Sequence, residues 1–409
     1  MLSLYLHIPF CKHRCAYCDF NTYAGQDDSI PAYVEALIKE IQYIGDRLPS
    51  PARRGDGGEV HTIFFGGGTP SLLSAPQLAS VMDALRAVFT FTPDLEASLE
   101  ANPGTTSLDF FNGIRAAGFN RLSFGVQSAN LDELHMLERA HNFFDVVRSV
   151  KWARQAGFDR HSNGVNLDLI YGLPEQTLSR WQNTVQRILD LEPEHISMYA
   201  LTLEHGTPFG RWSSRGLLPI PDPDLAADMY EWAGEYLEAR GYVQYEISNW
   251  AKDVSSSGSL NKRFPSFACR HNLQYWRGLP YLGLGAGAHG YANGYRYSNA
   301  LRIKTYIERL SNSQPADLSF PLTPAAVNHH LQTEGDDMSE FMMTGLRLTS
   351  AGVTESDFRS RFGRGLLDVY PKEINELVRL GLLEWGGDVL HLTRRGRLLG
   401  NQVFMQFLD

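Results

Sequence analysis

Short apolar runs alternate with longer amphipathic stretches over roughly the first 250 residues. Segments 2–7, 60–65, 95–100, 121–125, 165–171, 195–201 and 242–247 are apolar, rich in β-branched and aromatic residues, and read as strands. Between them, segments 32–47, 75–88, 108–117, 145–156, 178–189 and 224–239 repeat apolar positions at helical spacing. Several of these open on Ser, Asp or Pro and close on Gly. Strand and helix in alternation predict a parallel sheet covered by helices, an α/β fold. Six or more such units suit a partial or complete β/α barrel, and an open doubly wound sheet is the alternative that periodicity leaves standing. The unusual residues tilt the choice, because they gather just after successive strands: the cysteines, then Gly66-Gly67-Gly68-Thr69-Pro70, then Glu100-Ala101-Asn102-Pro103, then Gln127, then Tyr171-Gly172-Leu173-Pro174. Barrel enzymes build their sites from those loops.

The pattern changes near Asp336. Segments 338–347, 355–362 and 367–380 predict three short helices, followed by a hairpin of 383–384 and 389–392 around Gly386-Gly387, the outline of a small winged-helix-like α+β domain. The expected division is therefore a barrel over 1–250, an extension over 251–335 and the C-terminal domain over 336–409. Segment 253–260, DVSSSGSL, reads as a surface insertion. From Asp336 onward nine Lys or Arg face eleven Asp or Glu, which is no footprint for nucleic acid, and the whole chain carries a net charge of −9. No apolar run reaches the roughly 18 residues of a membrane span, and the N-terminus lacks a basic region and a cleavage site, so a cytoplasmic location is expected.

Three of the four cysteines fall within eight residues, as Cys11-x3-Cys15-x2-Cys18 directly after the first predicted strand. That spacing lets three thiolates reach one inorganic site, as in iron–sulfur proteins. With three thiolates, a four-iron cluster keeps an open position on one iron. A zinc site closed by Cys269, His7 or His13 is the alternative, and would suit a regulator acting through the C-terminal domain.

The string Tyr5-Leu6-His7-Ile8-Pro9-Phe10-Cys11-x3-Cys15-Ala16-Tyr17-Cys18 resembles the signature of radical S-adenosylmethionine (SAM) proteins. It is similar in particular to the HemN and HemW branch, which holds oxygen-independent coproporphyrinogen III oxidases and haem chaperones. The resemblance runs over nearly the whole chain. It implies a [4Fe–4S] cluster on Cys11, Cys15 and Cys18, with SAM chelating the fourth iron and yielding a 5′-deoxyadenosyl radical on reductive cleavage. It implies further that Tyr5, Tyr17, Gly67, Gly68, Thr69 and Glu100 line that SAM. Gln127, Arg139, Asp168 and Ala200 match positions around a second SAM in the oxidases, although Arg139 and Asp168 equally suit a structural ion pair. On physical grounds, glycines at 66–68 let backbone approach a ligand closely and offer it carbonyls and amides, and Glu100 offers a carboxylate to an ammonium or a ribose hydroxyl.

Two features point to the chaperone side. The oxidase motif carries a further cysteine two residues after the third, where this chain has Phe20 in Cys18-Asp19-Phe20. Arg270-His271-Asn272-Leu273-Gln274-Tyr275-Trp276 also matches the HNxxYW motif of the chaperone-like proteins. There an exposed His271 could ligate haem iron while Tyr275 and Trp276 cover the porphyrin; a core histidine packed by the two aromatics is the other reading. Cys269 reads as an inert buried thiol, His7 as ordering the cluster loop, and His289, in the Gly-rich stretch 284–290, as a pocket candidate. The expected function is that of a haem chaperone holding a [4Fe–4S] cluster and SAM. Its partners would be haem and acceptor haemoproteins, membrane-associated ones among them, and not nucleic acid. The runner-up is a radical SAM oxidase that decarboxylates coproporphyrinogen propionates.

Overall fold

A computed structural model describes residues 1–48, 59–254, 263–312 and 318–408. The chain forms two compact units, Met1–Ala233 with Pro280–His330, and Gly234–Leu279 with Leu331–Asp409. These units cut across the three spans expected from sequence. Residues 280–330 return to the N-terminal strands because Tyr281–Leu284 pairs in parallel with the first strand, Ser3 opposite Tyr281 through Leu6 opposite Leu284.

In the first unit six strands, Leu2–Ile8, Val60–Gly67, Phe91–Ala101, Arg121–Gln127, Val165–Tyr171 and His195–Ala200, lie side by side in chain order. Each neighbouring pair is parallel. Parallel order demands a crossover between successive strands, and helices such as Ile30–Arg47, Ala75–Val88, Leu108–Ala116, Phe143–Gln155 and Leu178–Leu189 supply it. Local signals set their ends. Ser74 caps Ala75–Val88 in a reciprocal capping box with Gln77, and the helix turns Leu78, Val81, Met82 and Leu85 into the core. Because helices cover the outside and side chains fill the inside, the strands are buried on both faces, as in Val165–Tyr171, where only Asp168 is partly accessible. Beyond Tyr281–Leu284 the sheet runs antiparallel through His289–Ala292 and Tyr295–Asn299 to an edge at Ala326–Leu331. The result is a partial barrel, the α/β architecture expected from the alternation.

Two expectations are corrected. The strand predicted at 242–247 does not extend the parallel series: Tyr242–Glu246 belongs to the second unit and pairs antiparallel with Asn249–Lys252, since the two residues between them are too few for a crossover. The helix predicted at 367–380 divides into Leu366–Val369 and Pro371–Arg379. Pro371 has no N–H to continue the first helix and displaces Tyr370 to φ −119°, ψ 47°. The rest of the second unit packs Met342, Leu346, Phe358, Ile374, Leu390 and Phe404 into a core under the hairpin Leu383–Gly386 and Val389–Leu392. Val353–Thr354, unforeseen in the sequence, adds a third strand to it. The predicted insertion 253–260 lies, from residue 255, outside the described residues.

Candidate functional site

The cysteine loop leaves the first strand at Phe10–Cys11 and is folded on itself by the Cys18 amide donating to the Cys15 carbonyl at 3.1 Å. All four cysteines are free thiols; Cys11 is buried, and Cys15 and Cys18 are partly accessible. Burial raises the Cys11 thiol, Thr69 lowers it, and Cys18 and Cys15 stand near enough to raise it by their charge. Among the described residues no three His, Cys, Asp or Glu side chains converge on a single metal ion.

A hydrogen-bonded chain ties this loop to the strand ends. Thr69 Oγ1 donates toward Cys11 Sγ at 3.7 Å and accepts from Asn102 Nδ2 at 2.9 Å. Asn102 Oδ1 accepts from Arg139 Nη2 at 2.5 Å, which also donates to the Gly125 carbonyl at 2.7 Å. Arg139 Nη1 reaches Cys15 Sγ at 3.8 Å. Burial alone would lower the Arg139 pKa, but Tyr17 and Cys15 outweigh it and raise the group, so a fixed cation sits beside Cys15. The donor set, three free thiols beside a guanidinium and a threonine hydroxyl, fits an iron–sulfur cluster.

The glycine run is tied to the protein's own backbone and to Glu100. Gly66 and Gly67 end the second strand. The Gly68 amide donates to the Ile8 carbonyl at 2.8 Å and the Thr69 amide to the Phe10 carbonyl at 2.7 Å, and the Gly67 amide donates to Glu100 Oε2 at 3.0 Å. All three amides are therefore engaged within the protein and none is offered to a ligand. A Cβ on Gly68 would lie 2.5 Å from the Phe10 carbonyl oxygen, and one on Gly67, whose φ is +112°, would lie 2.5 Å from the His7 ring. Gly68 thus lets two backbones touch and Gly67 lets backbone lie against the His7 ring, and together they dock the cysteine loop.

Tyr5 donates to His7 Nδ1 at 2.9 Å and His7 Nε2–H donates to the Asn21 carbonyl at 2.9 Å, a network that assigns a neutral ring. Burial lowers the His7 pKa, and nearby His289 lowers it further. His7 thus orders the loop that follows Cys18, as expected. Burial pushes Glu100 up to about 8, with the Asp168 charge adding to the rise and the Gly67 amide opposing it. Asp168 is also raised by burial; its oxygens accept from Ser123 at 2.8 Å and Asn166 at 2.8 Å. The alternative ion pair between Arg139 and Asp168 is thus replaced by separate partners for each. Gln127 closes the fourth strand in the left-handed region at φ 66°, and Ala200 closes the sixth, exposed. Tyr17 packs on Phe209, with ring centroids 6.3 Å apart.

His271 is not exposed. It lies in the second unit at 1% accessibility, on the helix Arg270–Trp276, with Nε2 hydrogen-bonded to the Tyr275 hydroxyl at 2.8 Å and the rings edge to face. Trp276 faces the Arg347 guanidinium at 4.3 Å. The spacing i, i+4 turns His271 and Tyr275 toward one another, so the motif is engaged internally. Cys269, at the start of that helix, is buried as expected.

Sequence reasoning passed over Asn102 as a site residue and missed a buried hub around Glu40. Glu40 accepts from Tyr306 at 2.6 Å, the Gly285 amide at 2.8 Å, Asn299 at 2.8 Å and Thr323 at 2.9 Å. It holds the turn at Gly285–Ala288 against the cysteine loop, where Asn21 Nδ2 meets the Ala286 carbonyl at 3.2 Å and Tyr33 donates to the His7 carbonyl at 2.6 Å. An Asn-Pro directly after a strand was a signal for the first, and an acidic residue on the apolar face of an amphipathic helix for the second.

Residues 5–188 match the family model of the Radical SAM superfamily, and residues 332–399 that of the HemN C-terminal domain. The chain is 39% identical to the heme chaperone HemW of Bacillus subtilis, over 100% of this chain and 99% of that one. It is 34% identical to the heme chaperone HemW of Escherichia coli, over 100% and 98%. Among solved structures, coproporphyrinogen III oxidase (HemN) from Escherichia coli matches with a TM-score of 0.78 at 24% identity, covering 99% of this chain and 89% of that one, a likeness of fold. The chain belongs to the radical SAM superfamily, in its HemW branch.

Proposed function

We propose that this protein is a cytoplasmic haem chaperone that holds a [4Fe–4S] cluster and one SAM, takes up haem and passes it to acceptor haemoproteins. The observation that carries the reading is the likeness to HemW proteins along the full chain, from 33% to 39% identity in bacteria as distant as Haemophilus influenzae and Bacillus subtilis. The cysteine loop supports it through Phe20, 61% exposed where the oxidases have a cysteine.

Cys11, Cys15 and Cys18 would hold the cluster, with Arg139 offsetting its negative charge and Thr69 donating to a cysteine sulfur. When bound, cluster and SAM supply one-electron cleavage of a carbon–sulfur bond. Glu100, protonated for much of the neutral range when empty, would ionise beside the cationic end of SAM, while Tyr5 and Tyr17 exclude water. One SAM is proposed rather than two, because Arg139 and Asp168 already have internal partners.

Anaerobic titration of the cluster-loaded protein with ferric haem, followed by Soret absorbance, tests the reading beside incubation with coproporphyrinogen III and SAM. Saturable one-to-one haem binding without decarboxylation is expected. Turnover of the tetrapyrrole with no haem binding would overturn the chaperone reading in favour of the oxidase.

A further inference from the structure

We propose that the face following the sixth strand is a binding site for an iron tetrapyrrole bearing carboxylates, with His205 as the ligand to iron; this rests on the haem reading above. Trp212, Leu217 and Ile220 are exposed at 38%, 70% and 77%. The helix Pro208–Ser214 ends in a turn in which the Arg215 and Leu217 amides both donate to the Trp212 carbonyl, at 3.2 and 2.9 Å. That closure holds Arg215 and Leu217 within one turn of the indole.

The loop before the helix lies against it. Arg211 Nη1 donates to the Gly206 carbonyl at 3.0 Å, and a Cβ on Gly210 would meet the Glu204 carbonyl oxygen at 2.1 Å and His205 Cα at 3.1 Å. His205 is therefore pinned by its backbone beside Arg211. Its imidazole is exposed and has no hydrogen-bond partner among the described residues. The apolar face runs inward through the partly buried Leu201, Leu203 and Leu218, which pack on Ala16 and Phe209, and Ala16 separates Cys15 from Cys18.

Arg211 and Arg215, both exposed, place two guanidinium groups on the helix and on the turn that closes it, with Glu204 before the helix and Asp222 and Asp224 beyond Ile220. A planar macrocycle with carboxylates matches each part of the face: an indole and two aliphatic side chains for the ring, guanidinium groups for the carboxylates and an imidazole for the metal. His271, by contrast, is buried with Nε2 engaged.

The test is a titration of the cluster-loaded protein with ferric haem and, separately, with metal-free coproporphyrin III. Wild type is compared with His205→Ala, Trp212→Ala, the double variant Arg211→Ser/Arg215→Ser, and His271→Ala. These first three changes are at exposed positions, and thermal melts matching wild type confirm that each variant folds. The double variant and Trp212→Ala are expected to weaken both ligands roughly five- to thirtyfold. His205→Ala is expected to remove the imidazole-type iron spectrum and weaken haem, while leaving coproporphyrin affinity unchanged. Saturable haem binding by wild type that survives unaltered in the His205, Trp212 and double-arginine variants would overturn the site and leave the haem reading intact. No saturable binding by wild type would overturn the reading itself and the site with it. Haem affinity and an iron spectrum that stay unchanged in His205→Ala, while Trp212→Ala and the double-arginine variant weaken both ligands, would overturn the iron ligand.

Discussion

Replacing Gly68 by alanine isolates the contact that docks the cysteine loop. The new Cβ would sit 2.5 Å from the Phe10 carbonyl oxygen and 2.9 Å from that of Ile8, where ordinary contact begins at 3.4 Å. Both neighbours are backbone atoms of buried residues, so the two segments must part by close to an ångström. That movement takes the Gly68–Ile8 and Thr69–Phe10 hydrogen bonds, now 2.8 and 2.7 Å, out of range. At about 1 kcal/mol for each lost bond and 1–3 kcal/mol for the overpacking, the variant should be destabilised by about 3–5 kcal/mol. For a unit of this size that lowers the melting temperature by roughly 5–8 °C. Cys11 follows Phe10 directly, so iron incorporation should fall as well. The assays are thermal melts and iron and sulfide content after anaerobic reconstitution. A Gly68→Ala protein that melts with wild type and takes up a full cluster, yet loses SAM binding, would refute the docking role and favour the glycine run as a ligand cradle.

Cys15→Ala should abolish the iron–sulfur absorbance while leaving the circular dichroism unchanged, because a partly accessible loop thiol contributes little to the core; retained absorbance would contradict the ligand set. Glu100 has a folded pKa of about 8, above its unfolded value of ~4.3, so the folded state keeps that proton between the two and the group's contribution to stability falls as pH rises through the window. The stability of wild type minus that of Glu100→Gln, from denaturant titrations between pH 5 and pH 8, should therefore decline with pH; a flat difference argues against the raised value. SAM binding near pH 7 should release a proton from Glu100, seen as a dependence of the calorimetric enthalpy on the buffer's ionisation heat that Glu100→Gln removes. Glu40→Ala, which orphans the donors of Tyr306, Gly285, Asn299 and Thr323, should lower unfolding stability by about 3 kcal/mol or more in urea titrations, and a loss below 1 kcal/mol would refute its role as hub.

The parallel strands and their helices were legible because their signals are local. The strand Val165–Tyr171 and the helices Ala75–Val88 and Leu178–Leu189 fall where the apolar runs and caps put them. The strands from Tyr281 to Asn299 were not, since the first of them, Tyr281–Leu284, has its parallel partner some 280 residues away in the first strand and no periodicity announces it. The site divides in the same way. Cys11, Cys15 and Cys18 declare themselves by spacing, whereas Asn102, Arg139 and Thr69 become one network only when three strand ends meet. The glycine run announced a close approach correctly, but composition alone does not say whether backbone or ligand approaches. His271 shows the same limit, because its aromatic neighbours suit a porphyrin face and a packed interior equally, and its burial is seen only in the folded chain.

The most direct test of haem delivery is the kinetics of transfer. Haem-loaded protein is mixed anaerobically with increasing concentrations of an apocytochrome of the b type, and the Soret shift is followed. A chaperone hands haem over within a complex, so the transfer rate should climb with acceptor concentration above the rate at which haem leaves the protein alone. A rate that stays at the spontaneous dissociation rate whatever the acceptor concentration would contradict the proposed function.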